Sequence, residues 1–376
     1  MIRICETAGL DPQNWLARHR GKKPLFACIL SFTETALIPQ ISAAGTSSRA
    51  RRYTALADGE YLYRGAAKNP KDKRYPLPVL PAGISPAVLT RAMLSHCKIP
   101  LCLLSTGLPA ALTVPHISLP TVLARALSTG AAMTLAQAET LFDSGYQQGK
   151  RLMAACSSGE LAAGGYLVLG ESVVGGTTTA QAVLAALGYE VAGQMSSSHP
   201  RANHAQKQSL VEEGLNRWRD HAAPADISHL APISAAAAVG DPMQLVAAGI
   251  MLSASCSVGV LLAGGSQMLA VYALARAIAH QKNIVWNPSQ IVVGTTRWVI
   301  EDTSADTVAI AQAIGAPYLA SQLSFARSPY VQLRAYERGF VKEGTGAGGC
   351  AIAAHLYKNC TNDQLRHAVE AELRQQ

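Results

Sequence analysis

The sequence predicts an α/β fold: a doubly wound, mostly parallel, Rossmann-like sheet with helices on both faces. Short apolar runs, each followed by a glycine-bearing turn and an Ala/Leu-rich helical segment, recur along the 376 residues. This alternation is typical of parallel sheets. Hydrophobic residues make up 49% of the chain but aromatic residues only 6%. Small apolar side chains of this kind suit helices that pack closely on a buried sheet.

Strands are predicted where the chain has a short, continuous apolar run. These runs are Leu25–Ser31, Pro78–Pro81, Ile99–Ser105, Tyr166–Leu169, Val258–Ala263, Ile291–Val293 and Pro317–Leu323. The stretch 242–275 has no charged residue and is long enough to cross a membrane. Because glycines and serines interrupt it, we interpret it as a helix (242–255), a strand, a turn and a second helix (267–279), with no membrane span.

The chain is predicted to form two domains. Residues 25–315 form the α/β core, in which the ligands are expected to bind. Residues 1–24 and 316–376 form a smaller, mostly helical domain that carries the Glu343 loop. Ligands of open α/β sheets bind at the carboxyl ends of the strands, so the chemistry is expected just after them. The residues at those positions are Ser85, Glu171, Gly264, Gly265 and Ser324.

A phosphate-binding turn is predicted near the middle of the chain. An apolar run ends beside Glu171, Gly175 and Gly176 form a turn, and threonines 177–179 open an Ala/Leu-rich helix. The first turn of a helix leaves backbone N–H groups unpaired and favours an anion. Such a turn can also serve only as a connection. The P-loop pattern for triphosphates requires a lysine where Gly176 stands, so a monophosphate is favoured.

Glu343 opens a second motif near the end of the chain. Four glycines lie within 344–349, and an apolar helix is predicted over 350–357. Taken alone, this pattern is equally consistent with a helix that begins near a favourable carboxylate. Together with the first motif, it indicates a site in which one turn holds a phosphate and the other presents a carboxylate.

Charge and cysteine content narrow the class of protein. The net charge of +8 includes an early basic segment: Arg49, Arg51, Arg52, Arg64, Lys68, Lys71, Lys73 and Arg74. We interpret it as a solvated basic loop, with no nucleic acid as partner, because no nucleic-acid-binding module pattern accompanies it. The eight cysteines form no C-x-x-C pair, which favours reduced thiols in the cytoplasm. The histidines lack metal-ligand spacing, so no metal is expected, and charged residues of only 15% favour subunit contacts, for which we expect a homodimer.

The two motifs in combination resemble the nicotinate-nucleotide:dimethylbenzimidazole phosphoribosyltransferases of cobalamin lower-ligand assembly. The family's Gly-Glu-x-x-x-Gly-x-Thr-Thr loop matches Gly170, Glu171, Gly175, Thr177 and Thr178, and its Glu-Gly-Thr-Gly-Ala motif matches residues 343–347. Three further segments are similar to family segments: 84–90 to the base pocket, 261–264 to a Leu-Leu-x-Gly turn, and Lys207 to a lysine after the phosphate helix. The resemblance covers roughly residues 80 to 350 and indicates a divergent branch.

This resemblance implies phosphoribosyl transfer from nicotinate mononucleotide to a benzimidazole- or purine-type base, without a cofactor, for assembly of the cobamide nucleotide loop. The products are an α-linked ribotide and nicotinate. Glu343 is implied as the catalytic base. The implied substrate-binding residues are Ser85, Met93, Glu171, Gly175, Gly176, Thr177, Thr178, Lys207, Gly264, Gly265, Ser324, Gly344, Thr345 and Gly346.

The chain departs from the family pattern where the family recognises its bases. Met93 stands where the family often has glutamine, Ala263 stands where it has aspartate, and 322–326 only partly matches a His-x-Ser-Ala-Glu segment. The acceptor therefore stays open between dimethylbenzimidazole, adenine and related rings. Two alternatives also stay open: a non-catalytic regulatory protein that binds nicotinate mononucleotide or phosphate, and a degenerate P-loop phosphohydrolase.

Overall fold

The structure is a computed structural model that describes residues 1–6, 11–66, 74–157, 164–221 and 231–376. The strands are β1 (Ile2–Cys5), β2 (Pro24–Leu30), β3 (Leu101–Ser105), β4 (Ile117–Ser118), β5 (Tyr166–Ser172), β6 (Val260–Ala263), β7 (Ile291–Thr296) and β8 (Tyr318–Ser321). The α-helices are α1 (Pro12–His19), α2 (Ser48–Arg64), α3 (Pro86–Cys97), α4 (Leu135–Ser157), α5 (Gly176–Ala186), α6 (His204–His221), α7 (Pro232–Val239), α8 (Pro242–Ala254), α9 (Ser266–Lys282), α10 (Arg297–Ile300), α11 (Thr307–Ile314), α12 (Val331–Glu337), α13 (Ala347–Lys358) and α14 (Asn362–Leu373).

The eight strands form one sheet in the order β1-β8-β7-β6-β5-β2-β3-β4. All neighbouring strands run parallel except β1, which pairs antiparallel with β8 at the edge. The predicted α/β class and mostly parallel sheet are therefore confirmed. Because the strands run parallel, the carboxyl ends of β2, β5, β6 and β7 lie together along the same edge, where the candidate site is found.

Two hydrophobic cores lie on opposite faces of the sheet. Along β5, Leu167 and Leu169 belong to one core and Tyr166 and Val168 to the other. This alternation follows from the two-residue period of a strand. Helices α4, α5, α8 and α9 cover the first face, and α3 and α13 cover the second. Each face is thus buried by helices, as the continuous apolar strands predict.

The uncharged stretch 242–275 forms α8, β6 and most of α9, as the sequence predicts. Within the part of the chain that the structure describes, no helix is long and apolar enough to cross a membrane. Glycines bring α8 close to α4: a Cβ at Gly145 would lie 2.3 Å from the carbonyl oxygen of Val246, and one at Gly249 would lie 2.4 Å from that of Phe142. The small residues therefore serve close helix packing.

Two strand predictions require correction, and two strands lie outside the predicted runs. Pro78–Pro81 is not a strand but irregular chain, because proline cannot donate the N–H that a ladder needs. Strand β5 continues through Gly170 and Glu171 to Ser172 instead of ending at Leu169. Strands β1 and β4 were not predicted. Both are short edge strands, and β4 has only two residues.

The chain ends join the main sheet. Ile2 of β1 pairs with Ser321 of β8, and α13 packs against β6, β7 and β8. The terminal segments thus contribute two strands and a covering helix to the architecture. The division into a core of 25–315 and a chain-end domain stays a prediction.

The basic segment is mostly helix rather than loop. Residues 48–64 form α2, and Arg51 is buried, with its guanidinium donating to the carbonyl oxygens of Ala36, Ile38 and Gly45. The solvated-loop interpretation is wrong for Arg51, which ties α2 to the preceding loop. The predicted positions Lys68, Lys71 and Lys73 lie outside the described residues.

Candidate active site

A cavity of about 1020 Å³, including its open mouth, lies at the carboxyl ends of the strands. Both motifs of the sequence contribute to its wall, and so does the irregular segment 78–82. The predicted site residues that line it are Ser85, Glu171, Gly175, Gly176, Thr177, Gly265, Glu343, Gly344 and Thr345. The structure thus brings together two turns that are far apart in sequence.

Glu171 lies at the end of β5, almost completely buried. The N–H of Val173 donates to its Oε2 at 2.9 Å, and Nε2 of Gln267 donates to its Oε1 at 2.8 Å. Burial, reinforced by the negative charges of Asp241 and Glu343, raises the pKa of Glu171 to about 8. At neutral pH this carboxyl group is therefore mostly protonated and can donate a hydrogen bond to a ligand.

The glycine turn after β5 leads directly into α5. Gly175 has a φ of +83°, and a Cβ there would lie 3.1 Å from the backbone nitrogen of Ala36, so the turn needs a glycine. No side chain caps the N-terminus of α5, and its first turn faces the cavity. The N–H groups of Gly176, Thr178 and Thr179 already donate to the carbonyl oxygens of Val173 and Gly175. An anion at this position would therefore rely on the Thr177 N–H and on the positive end of the helix dipole.

Gly176 serves a purpose that the sequence did not indicate. A Cβ there would lie 1.7 Å from Oε1 of Gln267, the same side chain that donates to Glu171. Gly176 therefore leaves room for Gln267 against the helix terminus. The side-chain amide of Gln267 therefore lies between the glycine turn of α5 and the carboxyl group of Glu171.

Glu343 begins the second turn and is only partly buried, facing the cavity. Its Oε1 accepts from the N–H groups of Gly344 and Gly348, each at 3.1 Å. Its Oε2 accepts from the hydroxyl of Thr295 at 3.0 Å and from the N–H of Thr296 at 2.9 Å. Burial raises the pKa of Glu343, and these four hydrogen bonds oppose that rise.

The chain around Glu343 has an unusual backbone. Val341, Lys342 and Thr345 have positive φ angles of 68°, 68° and 51°. Such angles are unfavourable for residues with a Cβ, and least favourable for a β-branched one. The N–H of Val341 donates to the carbonyl oxygen of Ser198, and the hydroxyl of Thr296 donates to that of Lys342 at 2.6 Å. Neighbouring loops thus hold the turn in this conformation.

A buried ion pair supports the same turn. Nζ of Lys342 lies 2.5 Å from Oδ2 of Asp302 and donates to the carbonyl oxygen of His199 at 3.0 Å. Burial opposes ionisation of Asp302, but the hydrogen bond and charge of Lys342 and the Ser304 groups lower its pKa below the usual value. The pair therefore connects the Glu343 turn to the loops at 196–199 and 302–304.

Lys207 lies behind the cavity wall. It is completely buried, and its Nζ donates to the carbonyl oxygen of Ser196 at 3.0 Å. Burial, with the nearby positive charge of Lys342, lowers the pKa of Lys207 to about 7. Ser196 itself lines the cavity. The lysine thus supports the serine loop from below instead of facing the cavity directly.

Asp58 is a buried carboxylate of the cavity wall that the sequence analysis missed. The hydroxyls of Ser85 and Ser172 donate to it at 3.0 and 2.8 Å, and that of Thr345 lies at 3.4 Å. Two further missed residues are Gln267 and Asp302. Asp58, Gln267 and Asp302 belong to no recognisable motif, because each forms hydrogen bonds with residues that are distant in sequence.

Several predicted site residues do not line the cavity. Met93 lies on α3, and its side chain is completely buried in the hydrophobic core. Ser85 precedes α3 and reaches the cavity, whereas Met93 lies eight residues further, which is about 12 Å along a helix. Ser324 donates to Glu337 instead. The other predicted site residues that do not line the cavity are Thr178, Lys207, Gly264 and Gly346.

Ala263 has a structural explanation. It ends β6, completely buried, beneath the first turn of α13. A Cβ at Gly349 would lie 2.3 Å from the Cβ of Ala263, so the helix packs there at the closest distance that small residues allow. A larger side chain at this position would displace α13 and, with it, the Glu343 turn. No cluster of potential metal ligands is found within the described ranges.

Comparison with known proteins identifies the family. Residues 96–292 match the model of the DBI_PRT phosphoribosyltransferase family, more than half of the chain. The chain belongs to this family. It is 53% identical over 371 residues to the UPF0284 protein of Cyanothece sp. (strain PCC 7425), covering 99% of this chain and 96% of the relative. It is 50% identical to the UPF0284 protein of Trichodesmium erythraeum, covering 98% and 97%.

Two solved structures share the fold. The nicotinate-nucleotide-dimethylbenzimidazole phosphoribosyltransferase of Thermus thermophilus is 17% identical, with a TM-score of 0.56, covering 94% of this chain and 84% of that one. CobT from the same organism gives 17% identity and a TM-score of 0.59, covering 96% and 89%. The resemblance stated from the two motifs is thereby confirmed, and the UPF0284 relatives are consistent with a divergent branch.

Proposed function

We propose that the protein transfers the phosphoribosyl group of nicotinate mononucleotide to a benzimidazole- or purine-type base in the assembly of a cobamide nucleotide loop. The products are an α-linked ribotide and nicotinate. The observation that carries the proposal is that the glycine turn of α5 and the Glu343 turn face one cavity. Family membership and the fold of the two Thermus thermophilus structures support the class of reaction.

The glycine turn suits the 5′-phosphate. The N-terminus of α5 offers the Thr177 N–H and the positive end of the helix dipole, and Gly175 lets the chain approach the ligand closely. Glu171, protonated at neutral pH, can donate to a ribose hydroxyl without placing a second charge beside the phosphate. Fixing the phosphate and the ribose would orient the reacting carbon.

Departure of nicotinate from the ribose needs no acid catalyst. In nicotinate mononucleotide the leaving group is already a pyridinium, so the bond to the ribose breaks with both electrons on nicotinate. The ribosyl centre then becomes positively charged, and the carboxylates that face the cavity favour such a charge. A ring nitrogen of the incoming base attacks from the opposite face, which gives the α linkage.

Glu343 is proposed to take the proton that the acceptor loses. Its four hydrogen bonds fill the lone-pair positions of a carboxylate, so one of them must yield first. The Thr295 hydroxyl can rotate, whereas the three backbone N–H groups are fixed. Since the Tyr318 hydroxyl also faces Thr295, a rotated hydroxyl finds another partner there. Burial raises the pKa of Glu343 and so strengthens it as a base.

The experiment that tests this proposal is incubation of the protein with nicotinate mononucleotide and each of a panel of bases. Nicotinate and the α-linked ribotide are followed by chromatography, and we expect both in equal amounts and only when a base is present. Binding of nicotinate mononucleotide without release of nicotinate would instead indicate a regulatory protein. Release of nicotinate without a base would indicate hydrolysis.

We further propose that the protein is a homodimer and is located in the cytoplasm. The low fraction of charged residues, 15%, supports the first, and the eight cysteines, all free in the structure, are compatible with the second. Light scattering during size-exclusion chromatography measures the first directly. A monomer at micromolar concentration would contradict it.

A further inference from the structure

Three hydroxyl groups around Asp58 direct their hydrogens toward its carboxylate. Ser85 and Ser172 donate to opposite oxygens of its carboxylate, and Thr345 approaches the second oxygen. These three donors come from the start of α3, the end of β5 and the Glu343 turn. While they serve Asp58, they cannot donate to a ligand.

Asp58 has no cation beside it. Within the described part of the chain its hydrogen bonds come only from hydroxyls, and no ion pair includes it. Burial raises the pKa of Asp58 to about 6, while the hydroxyls of Ser172, Ser85 and Thr345 lower it, so the group is mostly ionised at neutral pH. A buried carboxylate without a cation is costly unless its oxygens are well hydrogen-bonded.

One acceptor position of Asp58 is left for a ligand. A carboxylate offers about four lone-pair positions, and the three hydroxyls occupy three of them. Asp58 lines the cavity beside Leu80, Pro81 and Pro86, whose apolar groups suit the face of a flat ring. Since Met93 lies in the core, no side-chain amide of α3 offers a donor there.

We propose that Asp58 determines acceptor specificity by accepting a hydrogen bond from an exocyclic amino group of the base. The inference rests on the proposed function and names its acceptor class: a bicyclic nitrogen heterocycle that carries an amino group. Dimethylbenzimidazole has one N–H, which it loses to the base catalyst, so it has no further donor for Asp58. An aminopurine keeps its amino group throughout the reaction and satisfies the open position.

The experiment compares matched acceptors with wild-type protein. Adenine and 6-methylpurine have similar shapes, but only adenine carries the amino donor. We expect kcat/KM with adenine to exceed that with 6-methylpurine by about ten-fold or more, since a hydrogen bond to a charged group is at stake. Equal values for the two acceptors would overturn the inference and leave the proposed transfer intact. Absence of nicotinate release with every base would instead refute the proposed function itself.

Asp58→Asn tests the residue directly. Asparagine carries no charge and replaces one acceptor oxygen by an NH₂ that only donates, so its single oxygen accepts more weakly and is shared with the neighbouring hydroxyls. We expect the preference for adenine over 6-methylpurine to fall about ten-fold while KM for nicotinate mononucleotide stays within a few-fold. Asp306→Asn, an exposed substitution before α11, is the matched control and should keep the preference. A uniform loss with both acceptors and a raised KM for nicotinate mononucleotide would place Asp58 on the ribose and overturn the inference. If Asp58→Asn does not fold, the wild-type comparison still decides.

Discussion

The cavity holds two glutamates that the same protein prepares in opposite ways. Glu171 accepts two hydrogen bonds at the end of a strand, and its pKa rises to about 8. Glu343 accepts four, three of them from backbone N–H groups, in a turn with strained φ angles. The first glutamate is suited to donate a proton to a hydrogen bond, and the second to receive one.

Hydrogen-bond donors and neighbouring negative charges, more than burial, separate the two roles. Burial raises both pKa values. Each added donor favours the ionised form, so four hydrogen bonds oppose the rise at Glu343, whereas the charges of Asp241 and Glu343 add to the rise at Glu171. Neighbouring titratable groups whose environments differ in this way are a common basis for assigning acid and base roles.

The largest expected effect comes from Glu343→Gln. Glutamine keeps the size of the side chain but cannot take a proton, so we expect turnover to fall by ~10² or more. Affinity for nicotinate mononucleotide, measured by calorimetry, should stay within a few-fold. Turnover within a factor of about three of wild type would show that Glu343 is not the base.

The next effect is expected from loosening the turn that presents Glu343. Lys342→Met removes the cation of the buried pair and leaves Asp302 uncompensated, so the free energy of unfolding should fall by about 3–5 kcal/mol. Because the Glu343 turn loses a support, we expect kcat to fall about ten-fold while KM for nicotinate mononucleotide changes little.

Two controls accompany this change. Arg297→Met removes a cation from a surface pair with Glu301 and should alter the free energy of unfolding by less than about 1 kcal/mol. The double variant Lys342→Met, Asp302→Asn removes both charges and should regain part of the stability. If kcat stayed at the wild-type value in the single variant, the ion pair would have no part in positioning Glu343.

The effect of Glu171→Gln is expected in the pH dependence of stability and is small at any one pH step. Folding raises its pKa from 4.5 to about 8, so the folded state holds a proton that the unfolded state releases in that interval. Its contribution to stability is therefore present below about pH 4.5 and is lost as the pH rises through about 8. Relative to wild type, Glu171→Gln should flatten the decline of the unfolding free energy by up to about 1.4 kcal/mol per pH unit.

Chemical denaturation at several pH values between about 5 and 8 measures this slope. Glu139→Gln, in an exposed position of α4, is the control and should follow the wild-type curve. Parallel curves for wild type and Glu171→Gln would mean that Glu171 is ionised in the folded protein. The distinction between the two glutamates would then disappear.

The sequence predicted much of the sheet because buried parallel strands are continuous apolar runs. It failed at Pro78–Pro81, where apolar character came from prolines that cannot join a ladder. It also predicted both glutamate turns, since glycines next to a helix start form a local pattern. These successes share one property: the information lies within about ten residues of the feature.

The site residues that were missed depend on contacts between distant segments. Asp58 can be recognised as a site residue only in the folded chain, where the hydroxyls of Ser172 and Thr345 lie within hydrogen-bond distance of its carboxylate. Met93 was placed in the acceptor pocket by its position in a motif, but the direction of α3 carries it into the core. Pairing and direction of this kind are properties of the tertiary structure, and a local pattern does not contain them.

The pairing of the first strand with the last strand has a consequence for how the protein is made. Strand β1 remains without its partner until β8 has left the ribosome, and Glu343 is synthesised later still. Domains fold as their residues emerge, so the central strands can assemble while one edge of the sheet is still open. A nascent chain that stops before residue 343 would already contain the glycine turn of α5. The cavity would therefore gain Glu343, its proposed base, only in about the last tenth of synthesis.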